Sequence, residues 1–343
     1  MITERLFDEI RTIPIVEVTL RNSAGMQLSV LNYGATIRNV VIPAASGKNV
    51  DVCLGYDSVA EYAENGGHFG GSIGRFANRI SGAAFDLDGK HYTLAVNNPP
   101  NHLHGGLNPW DKKIWDYKTN EQENSVTFTC KSADMEEGYP GEVHASAKFT
   151  LYEDLRFSIE YSATTDKATP VNMTNHWYFN LNGHYKGQIL DHSLKLNTGE
   201  YSEIKAGLIP TGKICSVEGT PLDFREEKTI RQDFDKVLAT ETRGYDHNFV
   251  LGNPGEMKTF AVLRGDLSGI TMTASTNMEA FQLYTGNHIS ERKGKEKSTY
   301  SNYSGMCMEP HHFPDAVNRP EFPSAILRPG ETYYHHTEFS FEA

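Results

Sequence analysis

Cysteine is scarce in this 343-residue chain: Cys53, Cys130, Cys215 and Cys307 lie far apart, and no Cys-x-x-Cys pair occurs. That sparsity disfavours a disulfide scaffold or a zinc ribbon and predicts a reducing, cytoplasmic setting. Positive charge is also in short supply. Lys plus Arg number 32 against 44 Asp plus Glu, a net charge of −12. The excess repels phosphate backbones and anionic lipid, so no nucleic-acid and no membrane partner is expected. No apolar run approaches the ~18 residues that cross a bilayer. The opening segment, MITERLFDEIRTIP, lacks the apolar stretch of a secretion signal. Also missing is any sustained 3.6-residue apolar stripe or regular alternation of strands with long helices, which disfavours a doubly wound architecture. No Pro- or Ser-rich linker, composition shift or fixed-period repeat divides the chain. One extended domain over residues 1–343 is expected, with two intimately packed halves as the alternative.

What the sequence does contain is a two-residue hydrophobic period from end to end. Val16, Val18 and Leu20 alternate with Glu17 and Thr19, Ser23-Ala24-Gly25 supplies a turn, and Met26, Leu28 and Val30 resume the alternation. This pattern predicts a hairpin with one buried face. Phe85 and Leu87 precede Asp88-Gly89, and Tyr92 and Leu94 follow it; the Asp-Gly pair supplies the positive φ angles of a two-residue hairpin turn. A third hairpin turns near Glu153-Asp154, between Phe149 and Leu151 on one side and Leu155, Phe157, Ile159 and Tyr161 on the other. Residues 333–341 alternate as well. Helical signals are short: Ser58-Val59-Ala60-Glu61 is a capping box opening a helix that Asn65-Gly66 closes, and a turn or two is expected within residues 224–234. Asn98-Pro99-Pro100-Asn101 reads as a rigid turn, and the charge run ERKGKEKS at 291–298 as a solvated loop. Together these features predict an all-β fold, a sandwich or barrel of antiparallel strands, and at this length a very large two-sheet sandwich.

Polar and ionisable residues concentrate in five places: residues 74–80 (GRFANRI), 101–106 (NHLHGG), 175–183 (NHWYFNLNG), 244–247 (GYDH) and 308–315 (MEPHHFPD). There is no Gly-x-Ser-x-Gly elbow for a serine hydrolase. Residues 70–74 (GGSIG) lack the Lys-Ser/Thr of a phosphate loop. His102-x-His104 on a strand would put two imidazoles on one face, as a metal site requires. Gly105, Gly106 and Leu107 follow where a further carboxylate ligand would be needed, so no metal is predicted. Asp246 and Glu309 offer a carboxylate pair of the kind that hydrolyses glycosides. An acid–base pair of one Glu and one His is equally open.

In this order, the segments resemble the galactose mutarotase (aldose 1-epimerase) family. The resemblance runs through Asn32-Tyr33-Gly34-Ala35-Thr36, residues 74–80, Leu103-His104-Gly105-Gly106, Gly138-Tyr139-Pro140-Gly141, residues 176–183, residues 219–225, Tyr245-Asp246-His247, and Glu309 with Phe313-Pro314-Asp315. It implies one β-supersandwich domain and an isomerase that interconverts the α and β anomers of free aldohexoses such as glucose and galactose. It implies no cofactor and no metal, an aldose as the small-molecule partner, and a monomer or homodimer. By the same resemblance Glu309 is the general base and His176 the general acid, while His104, Asp246, Arg79, Asn78 and Gln282 bind the sugar. Trp177, Tyr178 and Phe313 are candidates to cover a sugar face. Two departures from the family pattern, at Leu107-Asn108-Pro109-Trp110 and at Pro310-His311-His312, bear on sugar preference. The runner-up readings are a hexose-6-phosphate 1-epimerase, with Arg75, Arg79, Lys112 and Lys113 as the nearby cations, and a non-catalytic carbohydrate-binding module.

Overall fold

Strands whose alternate residues are apolar need a partner layer, and among the described residues they find it chiefly in three large antiparallel sheets, with five two-stranded ones beside them. The computed structural model describes residues 1–44 and 47–343. The largest sheet has nine strands, centred on Val143–Leu151, Arg156–Thr165, Tyr333–Glu342 and Thr271–Thr276. Its register aligns Ala147, Tyr161 and His335 in one row and Leu151, Phe157 and Phe339 in another. Side chains of one face therefore stack in rows across strands distant in sequence. A five-stranded sheet runs Ile2–Ile10, Ile13–Arg21, Gln27–Leu31, Thr36–Pro43 and Asn49–Asp51. A second orders Ile209–Ser216, Glu200–Lys205, Asp246–Val250, Ala280–Tyr284 and Cys307–Pro310.

One hydrophobic cluster draws on all three sheets, with Val18 and Leu28, Phe149 and Phe339, and Phe249 and Phe281 among its buried members. Each such side chain contributes roughly 1.5–3 kcal/mol on burial. The expected hairpins are present. Leu20 pairs with Leu28 and Val18 with Val30. Strands Ala84–Leu87 and Lys90–Thr93 are joined by Asp88 at φ 48° and Gly89 at φ 76°, the left-handed pair of a tight hairpin turn. Phe149 pairs with Ile159 across the third. The Asn98–Asn101 turn is closed by backbone bonds in both directions, of 3.1 and 2.7 Å.

The helix Val59–Glu64 carries the full capping box: the Ser58 hydroxyl accepts from the Glu61 N–H, and the Glu61 carboxylate accepts from the Ser58 N–H. The second helical stretch begins inside the expected range and runs past its end, at Ile230–Asp233 and Phe234–Leu238. Lys228–Thr229, inside the expected helical range, pairs instead with Ser193 and Leu194. The charge run at 291–298 is not simply a solvated loop. Lys295 is fully buried, its Nζ 2.6 Å from Asp51 Oδ2 and 2.7 Å from the Arg38 carbonyl. A long apolar stem and an opposite charge at its end make that burial tolerable.

Candidate active site

The second five-stranded sheet lays the floor of the site by its two-residue period. Asn248, Gln282 and Glu309 are register partners across three strands, and Asp246, Tyr284 and Cys307 form the neighbouring row. Residues two apart share a face, so Asp246, Gln282, Tyr284 and Glu309 all rise on one side. Phe249, Phe281, Leu283 and Met308 fall on the other, in the hydrophobic cluster. Gln282 Nε2 donates to Asp246 Oδ1 at 2.5 Å, fixing the amide so that its Oε1 is left free.

A second wall follows the strand Thr174–Asn175. The His176 N–H donates to the Gly71 carbonyl and the His176 carbonyl accepts from the Gly70 N–H, both at 2.9 Å. Alternation then sends His176 and Tyr178 to the cavity and Trp177 and Phe179 to the core. The third wall comes from the short pair Arg79–Ile80 and His102–Leu103. Asn78 and His104 both have positive φ, 64° and 50°, and are locked together. The Asn78 N–H donates to His104 Nδ1 at 3.1 Å, and the His104 N–H donates to the Asn78 carbonyl at 3.1 Å. Arg79 Nε donates to Asn98 Oδ1 at 3.2 Å. The glycine after His104 permits this closeness: a Cβ on Gly105 would overlap the Gly74 carbonyl.

These walls enclose a cavity of about 300 Å³ lined by all seven residues that the sequence singled out: Asn78, Arg79, His104, His176, Asp246, Gln282 and Glu309. That volume lies at the small end of ligand pockets, and the lining is rich in hydrogen-bonding groups. His176 Nε2 stands 3.7 Å from Glu309 Oε1, and both side chains are almost wholly buried. His176 Nδ1 faces the Cys307 sulfur at 3.4 Å. Glu309 Oε2 and Gln282 Oε1 are buried without a donor among the described residues. An orphaned buried acceptor costs roughly 1–3 kcal/mol, so Glu309 Oε2 and Gln282 Oε1 are two acceptors that a ligand hydroxyl would satisfy.

Burial governs the electrostatics. It pushes the Glu309 carboxyl well above the usual carboxylate range, with the Asp246 charge adding to the effect. It lowers His176 to about 3, the neighbouring His68 acting in the same direction. His104 is also held well below the ordinary imidazole value, first by burial and then by the charges of His68 and His176. These directions oppose the Glu⁻/His⁺ pair that the resemblance assigns. The two arrangements hold the same number of protons, however, and differ only in which side of the 3.7 Å gap one proton occupies. His104, His176 and Glu309 also offer one ligand atom each within 4.8 Å of one another. Tetrahedral zinc, with bonds of ~2.0–2.2 Å to such atoms, would draw them to roughly 3.4 Å apart.

Other expectations need correction. Trp177 does not cover the cavity; it packs on Phe157, Phe179 and Phe339 in the core. Phe313 stacks on Phe322 at 4.4 Å, away from the cleft. Tyr178 does line it, joined by Tyr284, which the strand period from Gln282 could have revealed. His102 and His104 do not share a face. His104 lies off the strand, while both His102 nitrogens are engaged, by the Ala95 carbonyl at 2.8 Å and the Tyr139 hydroxyl at 2.7 Å. Arg75 is buried and donates to the carbonyls of residues 139–141; Lys112 and Lys113 bond elsewhere, to the Tyr62 carbonyl and to Glu136. Neither sequence departure lines the cavity, although His311 in the second acts electrostatically on both His104 and His176, lowering them. Trp110 is buried beneath Gly74 and His312 pairs with Glu279 at 2.6 Å. His68, Asn98 and His288 line the cavity without having been singled out.

A family model described as aldose 1-epimerase matches residues 16–340. Galactose mutarotase of Bos taurus is 38% identical over 327 residues, covering 95% of this chain and 94% of that protein. Aldose 1-epimerase of Escherichia coli (strain K12) is 37% identical over 334 residues, 95% of each. Among solved structures, an aldose epimerase homologue from C. elegans superposes with a TM-score of 0.89 at 30% identity, covering 96% of this chain and 99% of the other. Galactose 1-epimerase from Lactobacillus acidophilus NCFM gives 0.85 at 27% identity, over 100% and 98%.

Proposed function

The chain belongs to the aldose 1-epimerase family, and on that premise we propose that its cleft converts α to β anomers of a free aldohexose by passing protons through Glu309 and His176. The observation that carries this reading is the pair of buried, unpartnered acceptors, Glu309 Oε2 and Gln282 Oε1, on a wall shared with Asp246. Such a surface calls for a ligand rich in hydroxyl donors. Asp246 and Gln282 bind hydroxyls from the floor, Arg79 and Asn78 from the opposite wall, and His104 donates from Nε2 because its Nδ1 is already an acceptor.

Mutarotation needs one proton taken from the anomeric hydroxyl and one given to the ring oxygen. Glu309 takes the first and His176 gives the second. The C1–ring-oxygen bond breaks as the C1 carbonyl forms, the aldehyde rotates about C1–C2, and closure on the other face returns both protons. Paired acid and base catalysis of this kind contributes ~10²–10⁴-fold for each partner. Burial by itself favours the uncharged pair. Sugar hydroxyls donating to Glu309 stabilise its carboxylate, which moves the shared proton to His176 and sets the acid and base in their working forms. No further group is needed to balance the cycle.

A phosphorylated hexose is disfavoured by the surroundings. Of the four cations near the motifs, Arg75, Lys112 and Lys113 are committed to other partners, and a dianion would meet Glu309 and Asp246. We take the whole chain to act as one domain. The four free thiols suit a cytoplasmic setting, and among the described residues no helix is long and apolar enough to cross a membrane. The test is polarimetric: fresh α-D-glucose and α-D-galactose should lose rotation far faster with enzyme than without, and faster than α-D-glucose 6-phosphate. Sugar binding by calorimetry without any acceleration would instead identify a binding module.

A further inference from the structure

His68 is a cleft imidazole to which neither the proton transfers nor the hydroxyl contacts above give a role. His68 lines the cavity with its ring 4.9 Å from that of His104 and 5.8 Å from that of His176. Its Nδ1 is 2.8 Å from Asp111 Oδ2. Asp111 is buried in the turn Trp110–Lys112, and a Cβ on Gly71 would overlap its Cβ, so the carboxylate is packed tightly in place. Burial acts to raise the Asp111 carboxyl, but its hydrogen-bonded neighbour His68 outweighs burial and the group is lowered. A carboxylate can only accept, so the His68 tautomer that this contact selects carries its proton on Nδ1. Nε2 then presents a lone pair, and it has no hydrogen-bond partner among the described residues.

His104 is set the opposite way. Its Nδ1 accepts from the Asn78 backbone, which leaves Nε2–H as a donor. Two adjacent rings therefore offer the cleft one acceptor and one donor. Water aside, the group that answers both is a hydroxyl, which donates one hydrogen bond while accepting another. We propose that His68, oriented by Asp111, is a specificity-determining residue that accepts a hydrogen bond from one secondary hydroxyl of the sugar, the same hydroxyl accepting from His104. This assignment rests on the epimerase reading and extends it to a site built from residues 68 and 111.

The test compares wild type with His68→Phe and His68→Asn on glucose and its monodeoxy analogues, reading kcat and KM separately. Asparagine tolerates the left-handed backbone at residue 68, φ 54°, so it guards against a folding failure in the phenylalanine variant. Wild type should lose about 10-fold or more in kcat/KM when one particular secondary hydroxyl is removed. Both variants should lose a comparable factor on glucose itself, mostly through KM, and little more on that one deoxy sugar. Asp111→Asn should shift the same sugar selectively. Equal losses on every analogue, or no change, would overturn the assignment in favour of a structural role for His68. Absence of wild-type acceleration on every aldose is a separate result and would overturn the epimerase reading together with it.

Discussion

Replacing Glu309 with glutamine separates chemistry from folding more cleanly than any other change in the cleft. The amide keeps the volume of the carboxyl and can still hydrogen-bond, but it cannot take a proton from the anomeric hydroxyl. Loss of a general base costs ~10²–10⁴-fold, or roughly 2.7–5.4 kcal/mol of barrier. A second effect adds to this. At the observed 3.7 Å between His176 Nε2 and Glu309 Oε1, a charged pair attracts by about 4 kcal/mol at an effective dielectric of 20. Without the carboxylate, burial, with His68 acting in the same direction, keeps His176 low, and the ring will not hold a proton near neutral pH. The variant thus loses the base and disarms the acid. Glu309→Gln should fall by at least ~10³-fold in kcat on fresh α-D-glucose, measured by polarimetry with the spontaneous rate subtracted. His176→Gln should fall comparably, and the double variant should be little worse than the weaker single, as expected of groups that act as a unit. Stability should move the other way. Burial holds the Glu309 carboxyl above its unfolded value, so at pH 7 the folded state must either keep a proton the unfolded state has lost or bury a charge. Removing that ionisable group should leave the urea midpoint unchanged or raised. A Glu309→Gln enzyme with more than a third of the wild-type rate would refute the proton relay. A strongly lowered midpoint would show that the rate loss came from misfolding.

The pH dependence of kcat/KM should be a broad plateau. The active cleft holds one proton on the Glu309–His176 pair; a second arrives on acidification, and the first leaves as pH rises. His176 is lowered and Glu309 raised, so the acid limb should lie below the ~6.5 of free imidazole and the basic limb well above the ~4.3 of free glutamate; an acid limb at or above 6.5 would contradict the burial argument. Arg79→Ala removes a charged hydroxyl ligand whose Nε is held by Asn98, so KM should rise about 10-fold or more while kcat stays within about threefold; a kcat loss of equal size would place Arg79 in the proton transfer instead. Lys295→Met leaves Asp51 without its buried cation and should cost about 3 kcal/mol in urea unfolding. A loss under about 1 kcal/mol would mean that the backbone N–H groups around Asp51 suffice.

The parts of the molecule legible in the sequence are those governed by local periodicity. Alternation at Val16 to Val30 and at Phe149 to Tyr161, the Asp88-Gly89 turn and the Ser58 capping box each depend on a few neighbouring residues, and each is present. Gln282 and Glu309 come from the family resemblance rather than from alternation, but the same two-residue rule applied from Gln282 yields Tyr284. It failed where a side chain's neighbours come from elsewhere. Lys295 reads as solvent-exposed until Asp51, 244 residues away, is brought against it. Trp177 reads as a sugar platform because it stands beside His176, yet strand alternation assigns adjacent residues to opposite faces, and Tyr178 is likewise in the cleft only because it is two residues on. His68 has no motif of its own: its neighbours are glycines and an aromatic, and its partner Asp111 lies 43 residues away. What distinguishes it is a carboxylate that selects one tautomer beside a second ring held in the other. Motif residues are visible in local pattern, whereas the specificity role proposed here for His68 rests on its long-range pairing with Asp111, which a reading of local pattern passes over.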